Sequence, residues 1–205
     1  MSSEIKVNTI SEYTSANGVV IDGVTLKDSK IGGTITIPGS TGTMALTSDI
    51  SAGGLTVADQ YDITSNITST QTVITNWARP TGTLQGNLGS GVTETSGIFS
   101  FPSTGYYLVN FYLTANVTTG SPAYFTLEMY TTNDDFSSED KVFNISVKAP
   151  SNQSHMAQKS VILDITNISN DKVKLTLPTV SGTIAIAGAT TETRSAIQFF
   201  KLGDT

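Results

Sequence analysis

Gly97-Ile-Phe-Ser-Phe-Pro-Ser-Thr-Gly-Tyr-Tyr-Leu-Val-Asn-Phe-Tyr-Leu-Thr-Ala-Asn-Val117 is the stretch from which the fold can be read. From residue 106 onward every second side chain is apolar. Tyr107, Val109, Phe111, Leu113, Ala115 and Val117 share one face of an extended chain. Successive side chains of a β-strand point to opposite faces, so a period of two marks a strand. The opposite face carries Tyr106, Leu108, Asn110, Tyr112 and Thr114. That is more apolar than a solvent-facing side of an antiparallel sheet normally is, so this face is expected to be covered.

Outward from this strand the same pattern recurs at the spacing of an all-β sandwich. Further strands are expected at residues 70–77, 97–101, 123–130, 141–148, 158–165, 172–177, 183–187 and 196–201. Turn-rich stretches separate them, among them 118–122, 131–134, 149–152 and 170–171. No window has a convincing helical period. Charged residues make up only 14% of the 205-residue chain, so its polarity comes from Thr, Ser, Asn and Gly. Such a composition suits strands and turns and is poor for helices. The expected fold is an antiparallel jelly-roll sandwich of eight or more strands over residues 58–205.

Residues 1–50 read differently. Short β-forming pieces are cut by Asn17-Gly18, Asp22-Gly23, Gly32-Gly33 and Pro38-Gly39, each a turn signal. Val20, Ile21, Val24, Leu26, Ile35 and Ile37 are too dispersed to build a core within one chain. A stem in which identical chains wind together and complete one another's cores accounts for them; a flexible arm is the alternative. Residues 51–57, beginning Ser51-Ala-Gly-Gly54, read as a linker between stem and head.

The run Gly97-Ile-Phe-Ser-Phe-Pro-Ser-Thr-Gly-Tyr-Tyr-Leu-Val-Asn-Phe111 resembles a two-strand motif of the C1q/TNF-like family, G-x-F-x-x-P-x-x-G-x-Y-x-F/V-x-F. The ending Ile197-Gln-Phe-Phe-Lys-Leu-Gly203 resembles that family's last strand. This likeness covers roughly residues 58–205. The stretches VNTISEYTSANGVVIDGVTLKDSKI and ITIPGSTGTMALTSDI are similar to stem segments of tailed-phage fibres, especially those of marine phages. The second is similar to the phrase xxPxxTGTLALTS that precedes fibre tip domains, with Met44 where Leu is usual. The two resemblances together imply a virion appendage that assembles as a homotrimer, since C1q/TNF-like heads and three-chain stems share a threefold axis. On that reading the second apolar face at 106–117 is a subunit interface, with Tyr106, Tyr112, Tyr124 and Tyr130 as its candidate residues.

Charge restricts the partners. The formal net charge is −6, and the 11 Lys and Arg residues form no run. A phosphate-binding face needs clustered positive charge, so nucleic acid is not expected as a partner. No apolar run reaches the ~18 residues needed to cross a bilayer, and the opening Met-Ser-Ser-Glu-Ile-Lys carries no apolar signal stretch, so neither membrane insertion nor signal-directed secretion is expected. Cysteine is absent, which leaves no disulfide framework, thiolate metal site or thiol nucleophile.

The residues that carry chemistry are few. His155, the single histidine, lies in a turn-rich segment and supports no catalytic arrangement. Asp134, Asp135, Glu139 and Asp140 gather oxygen ligands that suit Ca²⁺, but they lack the order of an EF-hand loop and read first as a solvated acidic loop. Elsewhere the acids are isolated, as at Glu94, Glu128, Asp164 and Glu192, and no carboxylate pair for glycan hydrolysis can be named. Trp77 and Arg79 are a candidate sugar-stacking patch for host contact, although Trp77 reads first as a plug at the end of a strand.

The expected function is therefore non-enzymatic and without a required cofactor. The chain is read as a virion tail fibre whose stem attaches to other virion proteins and whose head contacts a host-surface glycan or protein through its loops. A trimeric capsid decoration or head fibre without a receptor role is the alternative, and a carbohydrate-active enzyme the more distant one.

Overall fold

The alternation at 106–117 is realised along a strand of 13 residues, Gly105–Val117, whose odd-numbered side chains are buried and whose even-numbered ones are half-buried or exposed. The computed structural model describes residues 54–117, 123–150 and 152–205, together with the strands β1 (Val19–Ile21), β2 (Val24–Lys27) and β3 (Lys30–Gly32). The chain divides into two compact units, Met1–Gly53 and Gly54–Thr205. In the first, β1, β2 and β3 form an antiparallel sheet. The side chains of Val20, Ile21, Val24 and Leu26, and the whole of Ile35 and Ile37, lie outside the described residues.

The second unit is all β. Its strands are β4 (Ala58–Ile63), β5 (Trp77–Ala78), β6 (Thr93–Thr95), β7 (Ile98–Ser100), β8 (Gly105–Val117), β9 (Ala123–Thr132), β10 (Asp140–Ala149), β11 (Ser154–Ile165), β12 (Lys172–Ser181), β13 (Ile184–Ile186) and β14 (Ala196–Gly203). They form two antiparallel sheets. One has five strands in the order β10-β9-β12-β7-β6, and the other six, β11-β8-β14-β4-β5 with β13 beside β8. Consecutive strands repeatedly switch sheets, as a jelly roll requires. The inward faces meet in one core centred on Phe99, which is fully buried with the rings of Tyr61, Trp77 and Phe199 at 5.4, 5.7 and 5.2 Å.

Three details depart from the sequence reading. Residues 70–77 do not form one strand. Gln71 exchanges two backbone hydrogen bonds with Leu177 of β12, each 2.8 Å, whereas Trp77 pairs with Ile63 in the other sheet. The segment crosses between the sheets, so no single ladder can hold it. Strands β4 and β6 lie outside the strands expected from the alternation. In β4, Ala-Asp-Gln-Tyr-Asp-Ile, two acids and a glutamine mask the strand signal.

Candidate functional site

Register determines what the six-stranded sheet presents outward. Across the strands Ile162, Leu108, Phe200 and Ala58 stand in one row. All four are apolar, and Ile162 is 64% exposed in the single chain. The next row is Ser160, Asn110, Gln198 and Gln60, and the one beyond it Gln158, Tyr112, Ala196 and Asp62. Polar side chains at the β4 end are tied to one another. Gln198 Nε2 donates to Gln60 Oε1 at 2.7 Å, Gln60 Nε2 to Asp62 Oδ1 at 2.8 Å, and Thr193 Oγ1 to Asp62 Oδ2 at 2.6 Å. Burial first, and the Asp62 carboxylate second, push the Tyr112 hydroxyl above its ordinary pKa. The face thus combines an apolar stripe with a pre-ordered amide ladder.

The four tyrosines do not share one surface. Tyr106 and Tyr112 lie on this outward face, from β8. Tyr124 and Tyr130 belong to β9 and face outward from the other sheet. There Tyr130 stands in register between Lys174 and Lys141, whose ammonium groups lie 5.6 and 5.5 Å from its ring. Its hydroxyl donates to Glu128 at 2.7 Å. Glu128 also accepts from Lys141 Nζ at 2.5 Å and Asn144 Nδ2 at 2.9 Å. These bonds, that of Lys141 foremost, hold the Glu128 carboxyl below its usual pKa. The same carboxylate raises the Tyr130 hydroxyl. Glu128, isolated in sequence, is the hub of this face. Its alternation with Leu127 and Met129 foretells that it faces outward, but its partners depend on the register of two other strands.

Trp77 is not available for host contact. Only 7% of it is exposed, and its indole N–H donates to the Ile74 carbonyl at 2.8 Å. Burial of the ring and satisfaction of its one donor make it a plug of the core. Arg79 likewise points to an internal partner. Its guanidinium pairs with the buried Asp59, donates to the Val92 carbonyl at 2.6 Å and lies 4.9 Å from the Tyr61 ring. The arginine fastens the 80–91 loop to β4, so the two residues form no sugar-stacking patch.

The acidic loop is divided among separate partners. Asp134 accepts from Ser138 and Thr132, with the Ser138 hydroxyl at 2.6 Å, and these bonds lower its pKa, that of the Ser138 hydroxyl most. Asp135 pairs with Lys172 and Glu139 with Lys174. Asp140 opens β10. The four carboxylates do not converge, and among the described residues no three His, Cys, Asp or Glu groups gather as metal ligands would. His155 sits on β11 opposite Ala115, and its Nε2 is buried without a hydrogen-bond partner among the described residues.

No family model matches the chain, and no curated protein matches it in sequence. Among solved structures it is similar to Eiger TNF from S. frugiperda, with 14% identity and a TM-score of 0.51 over 72% of this chain and 93% of that one. A structure of murine APRIL at pH 5.0 aligns with 14% identity and a TM-score of 0.48 over 71% of this chain and 98% of that one. The likeness to Eiger is one of fold: the body of this chain is an all-β, TNF-like jelly roll.

Proposed function

We propose that this chain is a non-enzymatic structural protein of a tailed-phage particle, a homotrimeric fibre. Residues 1–50 attach it to other virion proteins, and the jelly-roll head contacts the host surface. The observation that carries the assembly is the apolar row Ile162, Leu108, Phe200 and Ala58 on the outward face of the six-stranded sheet. An extended apolar stripe on a sheet face calls for a covering partner. A face that packs on a different surface of the next copy makes a head-to-tail contact, which closes into a ring when the rotation is threefold. Threefold closure is what the C1q/TNF resemblance implies. The virion location is supported by the likeness of the first fifty residues to phage stems.

Light scattering of the purified chain tests the assembly, and a mass three times that of one chain is expected. A monomer at micromolar concentration overturns it. Immunogold labelling of phage particles tests the location. Label at the tail supports the fibre, and label spread over the capsid favours a decoration protein instead. Removing residues 1–50 should abolish incorporation into particles while leaving the head folded.

A further inference from the structure

We propose that the outward face of the five-stranded sheet carries a binding cleft for a neutral saccharide, walled by Glu128, Tyr130, Glu139, Lys174, Thr176 and Pro178. The cleft has a volume of about 630 Å³. It is bounded on one side by the 70–72 segment, which Gln71 staples to β12, and on the other by the acidic loop, which Glu139 ties to Lys174.

Its chemistry selects the ligand class. Two carboxylates, Glu128 and Glu139, stand beside two ammonium groups, Lys141 and Lys174, and each is paired with one of them. The local charge is balanced, so neither a polyanion nor a polycation gains from entering. Strong donors and acceptors alternate over a few ångströms, next to the apolar edges of Tyr130 and Pro178. A pyranose offers the complement, with hydroxyls around its rim that both donate and accept, and C–H faces between them. The polar groups are already positioned. Three donors fix Glu128, and register places Thr176 opposite it on β12.

Thr176 supplies the second observation. It lies between the core residues Leu175 and Leu177, so its side chain faces outward, into the cleft lining. Yet only 7% of it is exposed, and its hydroxyl has no hydrogen-bond partner among the described residues. Buried hydroxyls are normally partnered, and one left alone asks for an explanation. The oxygen is covered in the free chain, so a ligand hydroxyl must part Thr176 from Lys174 to reach it and supply the partner. The cleft deepens the recognition role proposed for the head, and it rests on that reading only for the source of the saccharide.

The test uses the full chain, labelled for NMR, titrated with neutral probes: maltohexaose, oligomannose and chitotetraose. Heparin hexasaccharide and oligolysine serve as charge controls. At least one neutral probe should bind and shift the signals of Tyr130, Lys174 and Thr176, without moving those of Tyr106 or Tyr112. Thr176→Val keeps the shape and removes the hydroxyl. It should weaken that probe about tenfold while the protein melts no lower than the parent, since the lost hydroxyl had no partner to lose. Absence of shifts with every neutral probe overturns the proposal. So does preferential binding of either charge control, or a Thr176→Val variant that binds as tightly as the parent. None of these outcomes alters the mass measured by light scattering, so failure of the cleft and failure of the trimer are told apart.

Discussion

Arg79 grips the buried Asp59 carboxylate with both prongs of its guanidinium, Nε to Oδ1 at 3.0 Å and Nη2 to Oδ2 at 2.8 Å. The same carboxylate accepts the Val92 N–H at 2.7 Å. Strand β4, the residue after β5 and the end of the 80–91 loop are thus joined at one ionised group. A planar fork matches a carboxylate in a way that an ammonium does not. Arg79→Met should therefore cost about 1.5–3 kcal/mol, the range for hydrogen bonds to charged groups. Arg79→Lys should recover only part of it. Urea unfolding at neutral pH measures both. Equal stability of parent and Arg79→Met would mean that the pair does not hold the loop.

Trp77 is the chain's single tryptophan, which makes its burial directly observable. Its emission should be blue-shifted in the native protein, poorly quenched by acrylamide, and insensitive to any added saccharide. Trp77→Ala should cost about 3–5 kcal/mol, as large-to-small substitutions of buried aromatic rings do. A native emission near that of free tryptophan would contradict the packing against Phe99.

Ile162 is the most exposed member of the apolar row it forms with Leu108 and Phe200. Ile162→Glu places a carboxylate in that row. If the row is the subunit interface, the variant should sediment as a monomer while its far-UV circular dichroism is unchanged. A surface substitution should alter the stability of the isolated head by no more than about 0.5 kcal/mol. A variant that remains trimeric would move the interface elsewhere.

Much of the head is legible in the sequence because its information is local. The period-two alternation at 106–117 gives β8 and both of its faces directly. Glycines and turn clusters delimit β9 to β14 within a few residues. What escapes is set by long-range register. Nothing near Asp59 in sequence announces Arg79, twenty residues on, and nothing near Glu128 announces Lys141 as its partner. The tyrosines show the same limit. Their type marks them as contact residues, but only the strand order sends Tyr106 and Tyr112 to one sheet and Tyr124 and Tyr130 to the other. Trp77 is legible only as a choice between plug and patch, and the choice is made by Ile74 and Phe99.

Glu128 gives the head an acid-sensitive component. Its folded-state pKa lies below the ordinary glutamate value of 4.5 because Lys141, Tyr130 and Asn144 bond the ionised form. A depressed carboxylate contributes stability that is fully present above the ordinary value and is lost as the pH falls through the depressed one. Asp134, lowered by Ser138 and Thr132, acts in the same direction. The parent should therefore be more stable than Glu128→Gln at pH 7, and the gap should narrow as the pH drops well below 4.5. Urea midpoints for the two proteins across this range give the test. A gap independent of pH would show that the charge of Glu128 is not what stabilises the fold.

Gly97 stands in the turn between β6 and β7, and its backbone explains why glycine stands there. Its φ is +85°, in the left-handed region that only glycine enters without cost. A Cβ at this position would also lie 2.3 Å from the carbonyl oxygen of Ile74. That carbonyl cannot retreat easily, because it accepts the indole N–H of Trp77. Gly97→Ala therefore combines backbone strain, in the range of about 1–3 kcal/mol, with displacement of the acceptor that anchors Trp77. The expected result is a lower urea midpoint together with a red shift of tryptophan emission in the folded state. Ser96→Ala, one residue earlier, serves as the control. Its φ is also positive, 53°, but both residues there carry a Cβ, so the substitution adds no new contact. If Gly97→Ala lowers stability without moving the emission, the strain is local to the turn. If it changes neither, the close approach to Ile74 is absent in solution.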